Sequence, residues 1–440
     1  MRALVVTTGT AVAPFGDDVG DSLLLCSTLQ RAVAGALSEL GLAVHRAPGA
    51  DGLAASADEL VLVLADRLFV SRKLLRDFLP AALARLPAQL WLRRTPSVDY
   101  LLPVTDAVSE PLAAAERETS SARLARIESA ATERVGFDLF LLRGRELPRD
   151  LAGDALLAAL RQRCGPVVVT KRELTVPMRL PIVGDAGQQM MALPITSTLA
   201  AEVRHWVHIL WLNQLAFGMA WMDLLRDHKL WALWRLATAF PFGRARLFRR
   251  LVRSGKNCRI HPTAHVELSV LGDNVVVGPR ASIRNSVVGD GCEIGDHAVL
   301  LSSTVASGAF VTAKTFFVFS AAYPGATIGN YKLQVSLIGR DAHINSWAGL
   351  IDAKLRGDIR VERDGALRST GRSFLGSCVG HRAVVASKIL VQPGRMIPND
   401  AVIVMRPDEV VSAVPADLPP GEPLVRHQGT LVPLATLKNG

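Results

Sequence analysis

The sequence predicts two units in series: an α/β domain with a Rossmann-like, mostly parallel sheet, followed by a parallel β-helix of hexapeptide repeats. Three observations carry this. Strand-like and helix-like stretches alternate through the first 195 residues. A Leu/Trp/Ala-rich helical stretch follows, and beyond it aliphatic residues return every six positions. The expected divisions are 1–198 for the α/β domain, 199–257 for a helical linker, 258–405 for the β-helix and 406–440 for a tail covering its end.

In the first unit, "ALVVTT" reads as a strand and "DSLLLCSTLQRAVAGALSELG" as a helix ending at Gly41. "ELVLVLAD" is a buried strand ending in Asp66, and "SRKLLRDFLPAALARL" a helix with Ser71 as its N-cap. "FDLFLLRG" and "GPVVVT" supply two later strands. Strand–helix alternation implies a largely parallel sheet, and such sheets bind ligands at the carboxyl ends of their strands. Loop 7–20 and Asp66 are therefore the expected site region.

The linker is apolar from Trp206 to Leu225 but carries His208, Asn213, Gln214 and Asp223, which are costly in hydrocarbon. A buried connecting helix is expected. The run Arg244, Arg246, Arg249, Arg250, Arg253 reads either as a solvated face or as a contact to acidic headgroups at a membrane surface.

In the last unit the period is clearest at Val379, Val385, Val391, Ile397 and Ile403. Six is neither a helical nor a strand period; it is the repeat of short strands stacked into coils around an aliphatic ladder. Ile260, Val266, Val277, Ile283, Val288, Ile294, Val305, Val311, Ile338 and Ile344 extend it, with a five-residue step from Ile283 to Val288 marking a tight corner. Gly-Asp, Gly-Pro and Gly-Arg pairs after the aliphatic position suit corners with unusual backbone angles. Residues 315–337 read as a loss of register, and 352–374, charged and glycine-bearing, as a projecting hairpin or loop.

The formal charge of +10 is carried mainly by Arg and suits anionic partners, although compositional bias gives the same signature. Aromatics at 5%, with no Arg–aromatic interleaving, argue against a nucleic-acid binder. The five cysteines are scattered without zinc or redox spacing, and the N-terminus lacks the apolar run of a signal peptide, so a reducing cytoplasmic setting is expected.

"ASIRNSVVGDGCEIGDHAVLLSSTVASGAF", "RSFLGSCVGHRAVVASKILVQPG", "WLNQLAF" and "ELVLVLADRLFVSRKLLRDFL" together resemble the sugar-1-phosphate nucleotidyltransferases that carry a C-terminal left-handed hexapeptide β-helix. Within that family they are most similar to the bifunctional branch that acetylates glucosamine-1-phosphate and then uridylylates it. The resemblance implies a left-handed coil, a homotrimer, and a nucleoside triphosphate and sugar phosphate as partners. It also implies Gly9 and Thr10 at the nucleotide and a magnesium ion on Asp66 and Asn213. Asp66 equally reads as a strand-end turn residue. The family's loop arginine is replaced by Ala11, and Asp18 stands near its lysine position; losing both cations removes the charge stabilisation that nucleotidyl transfer uses. The family's acetyl-transfer histidine falls on Asn330 or Tyr331. Lys332, Arg340, Lys354 and Arg356 remain for a phosphate or coenzyme A groove, with His343 and His381 as substitute bases or polar corner residues. Two functions follow: a sugar-nucleotide transferase, or a catalytically inactive nucleotide-sugar-binding regulator or trimeric scaffold.

Overall fold

The structure is a computed structural model. It describes the 440 residues apart from 52, 54, 113–132, 172, 185–186, 231–232, 235–247, 250, 330–331, 418–419 and 438–440. Asn330, Tyr331, Arg244, Arg246 and Arg250 therefore lie outside the described residues.

The first unit is built from β1 (Arg2–Val6), α1 (Leu29–Ser38), β2 (Ala43–Ala47), β3 (Leu60–Ala65), β4 (Leu68–Val70), α2 (Arg72–Leu83), β5 (Ala88–Arg93), α3 (Pro96–Leu101), β6 (Glu133–Arg143), α4 (Gly153–Arg163), β7 (Gly165–Val169) and β8 (Ala200–Glu202). The main sheet runs β7–β5–β6–β3–β1–β2. β1 is parallel to β2 and β3, and β7 to β5, but β6 lies antiparallel between β3 and β5. Five of these six strands thus run the same way, as expected of a mostly parallel sheet, and β6 alone is reversed. Strands covered on both faces read as continuous apolar runs whatever their direction, so "FDLFLL" carries no direction signal. Ser71 does cap α2, accepting the Leu74 N–H at 3.3 Å.

α1 starts at Leu29, capped by Thr28, and not at Asp21. Residues Leu23–Leu24 and Ser27–Thr28 instead pair as a small hairpin, with Leu25 and Cys26 at φ of +46° and +65°. Tertiary bonds decide this: the Leu23 N–H donates to the Tyr323 hydroxyl, and Asn213 takes the Leu23 carbonyl and the Leu25 N–H.

α5 (Trp206–Asp227) leads out of β8. Its first eleven residues, through Ala216, are buried. The helix is packed between the sheet domain and the coils, and Gln214 bridges them by accepting from Tyr100 Oη and donating to the Phe319 carbonyl. Among the described residues no helix is long and apolar enough to cross a membrane.

The second unit has stacked parallel strands on three faces, consistent with a left-handed β-helix. Buried residues step inward at Leu271, Val277, Ile283; Val288, Ile294, Leu300; Val305, Val311, Phe317. In these coils the steps are six, six, five, with the five at the corner leading back to the first face. That corner has its own chemistry. A residue in the left-handed region (Leu268, Asn285, Ser302, Phe319, Val335) precedes a buried serine. The serines Ser269, Ser286, Ser303, Ser320, Ser336 and Ser377 form a ladder in which each hydroxyl accepts the N–H of the next, at 3.1–3.3 Å.

Residues 315–337 keep the ladder through Phe317, Ala322, Ile328 and Leu333, correcting the expected loss of register: shorter steps, not a break, blur the period. The glycines after the aliphatic position also differ from expectation. A Cβ on Gly289 would lie 2.5 Å from the Ser307 nitrogen, so that glycine answers close stacking of coils. The insertion after Leu350 does form a hairpin, Arg360–Arg363 with Ala366–Ser369. It folds back onto the first unit, and Val361, Phe374 and Leu375 join that unit's core.

Candidate functional site

β1 and β3 end side by side, and the Asp66 N–H donates to the Val6 carbonyl. The buried Asp66 carboxylate accepts the Thr8 N–H at 3.0 Å and the Thr8 hydroxyl at 2.8 Å. Thr8 Oγ1 also lies 2.7 Å from Thr10 Oγ1; with its own proton on Asp66, it accepts the proton of Thr10. Gly9 is exposed at φ +67°, with open space where a Cβ would be. Gly9, Thr10 and Asp66 therefore come together. Asn213 does not join them. Its amide donates to Leu23 O and Ile209 O, and its carbonyl accepts from Leu25 N, so its hydrogen bonds hold the small hairpin to α5.

Magnesium takes six hard oxygen ligands in a tight octahedron. One carboxylate already engaged by Thr8, and an amide 4% exposed and committed to backbone, do not fit as its pair of protein ligands. Among the described residues no three His, Cys, Asp or Glu side chains are grouped to hold a metal ion.

Further along loop 7–20, Phe15 and Asp17 face the coils. Val12, Phe15 and Val19 are buried, and the Phe15 ring stacks on His381 at 4.6 Å and lies 5.0 Å from Tyr323. Asn399 donates to the Phe15 carbonyl. Asp17 accepts from Arg340 at 2.9 Å and meets His381 Nε2 at 3.0 Å. His381 Nδ1 accepts the Arg340 N–H, which leaves Nε2 as the protonated nitrogen facing Asp17. Burial holds the imidazole below its ordinary pKa despite that carboxylate. Asp18 caps Gly20 and pairs with Arg46.

The expected β-helix groove is not assembled among the described residues. Arg340 serves the Asp17 contact, and Lys332 pairs with Asp352 at 3.1 Å. His343 is exposed on the second face between Thr327 and Val384. His381 is 1% exposed and doubly bonded, which removes it as a free base.

A different concavity, of about 200 Å³, opens at the same edge of the sheet. Leu68, Trp91 and Phe137 give its apolar floor, and Asp106, Glu110, Asp138, Arg161, Glu202 and Arg204 its polar walls. Behind the walls stands Arg67, fully buried and held by Asp138 (3.0 Å), Asp154 (2.7 Å) and Glu202 (2.8 Å). Burial works against its charge, but these three carboxylates outweigh burial and raise its pKa. Arg161 grips Asp138 with two bonds of 2.6 and 2.7 Å, and Arg204 donates to Glu202. Alternating fixed acceptors and donors over an apolar floor suit a polyhydroxylated ligand, whose hydroxyls both give and take hydrogen bonds. Beside it, Lys171, Ser97 and Glu173 form a closed set in which Lys171 lies 2.9 Å from Glu173. Ser97, at 0% exposure, is not an open nucleophile.

Sequence reasoning missed this pocket, although Asp138 carried a usable signal. A carboxylate inside an apolar strand requires a buried partner, and "DR" directly after β3 supplies one in Arg67.

Residues 268–302 match the family profile described as bacterial transferase hexapeptide (six repeats). These coils carry the hexapeptide repeat of that profile. Among solved structures the chain is similar to a histidine-to-alanine mutant of GDP-perosamine N-acetyl transferase from Caulobacter crescentus, determined with CoA and GDP-perosamine. Identity is 19% and the TM-score 0.15, over 30% of this chain and 50% of that one. The chain thus spans half the length of that enzyme. No curated protein matches.

Proposed function

We propose that this chain is a sugar-modifying transferase of the hexapeptide class whose α/β domain seats a sugar or nucleotide sugar in the carboxyl-edge pocket. The observation that carries the reading is that pocket: fixed carboxylates and guanidiniums over Trp91, at the edge where α/β sheets bind ligands. The hexapeptide repeats support the transferase class. Nucleotidyl transfer has weaker support, because loop 7–20 presents no Arg or Lys and its Asp17 is bound to the coils.

The test is a thermal-shift screen of the full chain with sugar-1-phosphates, nucleotide sugars, acetyl-coenzyme A, and each nucleoside triphosphate with magnesium. A ligand at one hundred times its Kd adds about 2.7 kcal/mol to the folded state. The expected result is stabilisation by a sugar phosphate or nucleotide sugar, reduced in Glu110→Gln. Stabilisation only by a triphosphate with magnesium, lost in Asp66→Asn, would establish the nucleotidyltransferase instead. No stabilisation by any of them would leave the scaffold.

The assembly we propose is a homotrimer packed along the coil surface that exposes Phe310, Phe316, Trp347, Leu390 and Val402. Light scattering at three times the 47.3 kDa chain mass would support it, and a single chain mass would end it.

A further inference from the structure

The pocket wall at residues 104–108 is not held by its own domain alone. Val104 sits at φ +68°, a conformation costly for a β-branched residue. Two contacts hold it there. His208 Nε2 bonds the Pro103 carbonyl at 2.8 Å, and Arg363 of the β-helix insertion donates to the Val104 carbonyl at 2.6 Å. The second terminal nitrogen of Arg363 bonds Asp106, which lines the pocket and which Arg204 also faces at 3.5 Å. Arg363 thus holds a strained backbone turn and the carboxylate two residues later, in one planar fork.

The insertion is itself firmly seated. His205 Nε2 bonds the Glu362 carbonyl at 3.0 Å. Arg372 lies between the rings of Tyr100 and Trp211, 3.8 and 3.9 Å from their centroids, and donates to the Tyr100 carbonyl. Val361 and Thr370 are fully buried. This is a fixed strut and not a swinging lid.

We propose that the β-helix insertion, through Arg363, is a positioning element that shapes the pocket of the α/β domain and sets its affinity for ligand. The inference deepens the sugar-binding reading and rests on it for the ligand, while the shaping of the wall is measurable without one. Ligand selection in the first unit then depends on a residue some 250 positions away in the second, the separation of Asp106 and Arg363 being 257. An insertion in one coil becomes a means of changing specificity without altering the sheet.

The experiment uses the full chain as wild type, Arg363→Ala, Arg363→Lys, and Leu367→Ala as an exposed, uncharged control on the same hairpin. Hydrogen–deuterium exchange is followed over the peptide spanning 102–110. In Arg363→Ala its amides are expected to exchange roughly tenfold faster or more, with coils 268–302 unchanged and Leu367→Ala like wild type. Arg363→Lys, with a single ammonium, is expected to restore protection in part. UDP-N-acetylglucosamine and N-acetylglucosamine-1-phosphate serve as probes, and binding is expected to weaken by about tenfold in Arg363→Ala. Unchanged exchange at 102–110 in a folded Arg363→Ala overturns the proposal, as does unchanged affinity for a probe that wild type binds. If neither probe binds wild type, the sugar-binding reading fails while exchange still decides the positioning role.

Discussion

Acid should destabilise this protein through two histidines at the start of α5. His208 is fully buried, and its Nδ1 accepts the backbone N–H groups of Arg204 and His205 at 3.2 and 3.1 Å. Nε2 therefore carries the proton and donates to Pro103. A second proton on Nδ1 would face two donors. Burial is the largest cause depressing its pKa, to about 3, and His205, Arg363 and Arg204 add like charge; only the Pro103 bond opposes them. His205, also buried, is lowered to about 4, again chiefly by burial. Both stay neutral when folded and take up protons near pH 6.5 when unfolded, so the unfolded state binds more protons and stability falls as pH falls below about 6.5. At pH 5 each has moved 1.5 units past that value, a loss of about 2 kcal/mol apiece at 1.36 kcal/mol per unit. Urea unfolding between pH 7.5 and 5.0 measures it, with tryptophan fluorescence as the signal. His208→Gln supplies both an acceptor and a donor without titrating, and should lose about 2 kcal/mol less than wild type over that range. Parallel pH profiles for the two proteins would refute the reasoning, because every other titrating group is common to both.

Three further outcomes are expected. Ser303→Ala leaves the buried Ser320 N–H without its acceptor and should cost about 1–3 kcal/mol in the same urea assay, whereas an unchanged midpoint would mean the ladder contributes nothing net. Gly289→Ala forces a Cβ against the Ser307 nitrogen and should lower the thermal midpoint of the coils, followed by circular dichroism; Gly291→Ala, with no atom within 4 Å but φ +65°, should cost only about 1–2 kcal/mol. Asp17→Asn keeps an acceptor for Arg340 but removes the charge between Arg340 and His381, and should speed amide exchange in loop 7–20 while leaving the sheet core protected.

The coil was legible because each inward step buries an aliphatic residue, and a fault in that pattern is costly. Its serine ladder was legible too, at a spacing of 17 from Ser269 to Ser286 to Ser303, had polar residues been tracked with the apolar ones. The direction of β6 was not, since a strand buried on both faces shows no alternation. The helix expected from Asp21 failed for a tertiary reason: Tyr323 and Asn213, 300 and 190 positions from Leu23, claim its backbone. Asp66 with Thr8 and Gly9 could be placed from strand-end logic alone. Beyond Asp138 the walls of the neighbouring pocket could not, because Asp106, Glu202 and their arginines meet only after folding.

The same long-range contacts argue that the two units fold and act as one body. The outward residues Ala321, Leu337 and Cys378 on the first face of the coil are buried in the core of the α/β domain. A coil that needs only itself would keep those positions polar, as a half-solvated sheet does. Loop 7–20 gives the matching evidence from the other side: Phe15 and Asp17, in the stretch where a nucleotide loop would need freedom and positive charge, lie against His381 and Arg340. Binding a triphosphate there would have to displace that contact, and the ligand's affinity would be reduced by what the contact contributes. The pocket beside Arg67 asks for no such displacement, which is the physical reason to look for the ligand there first.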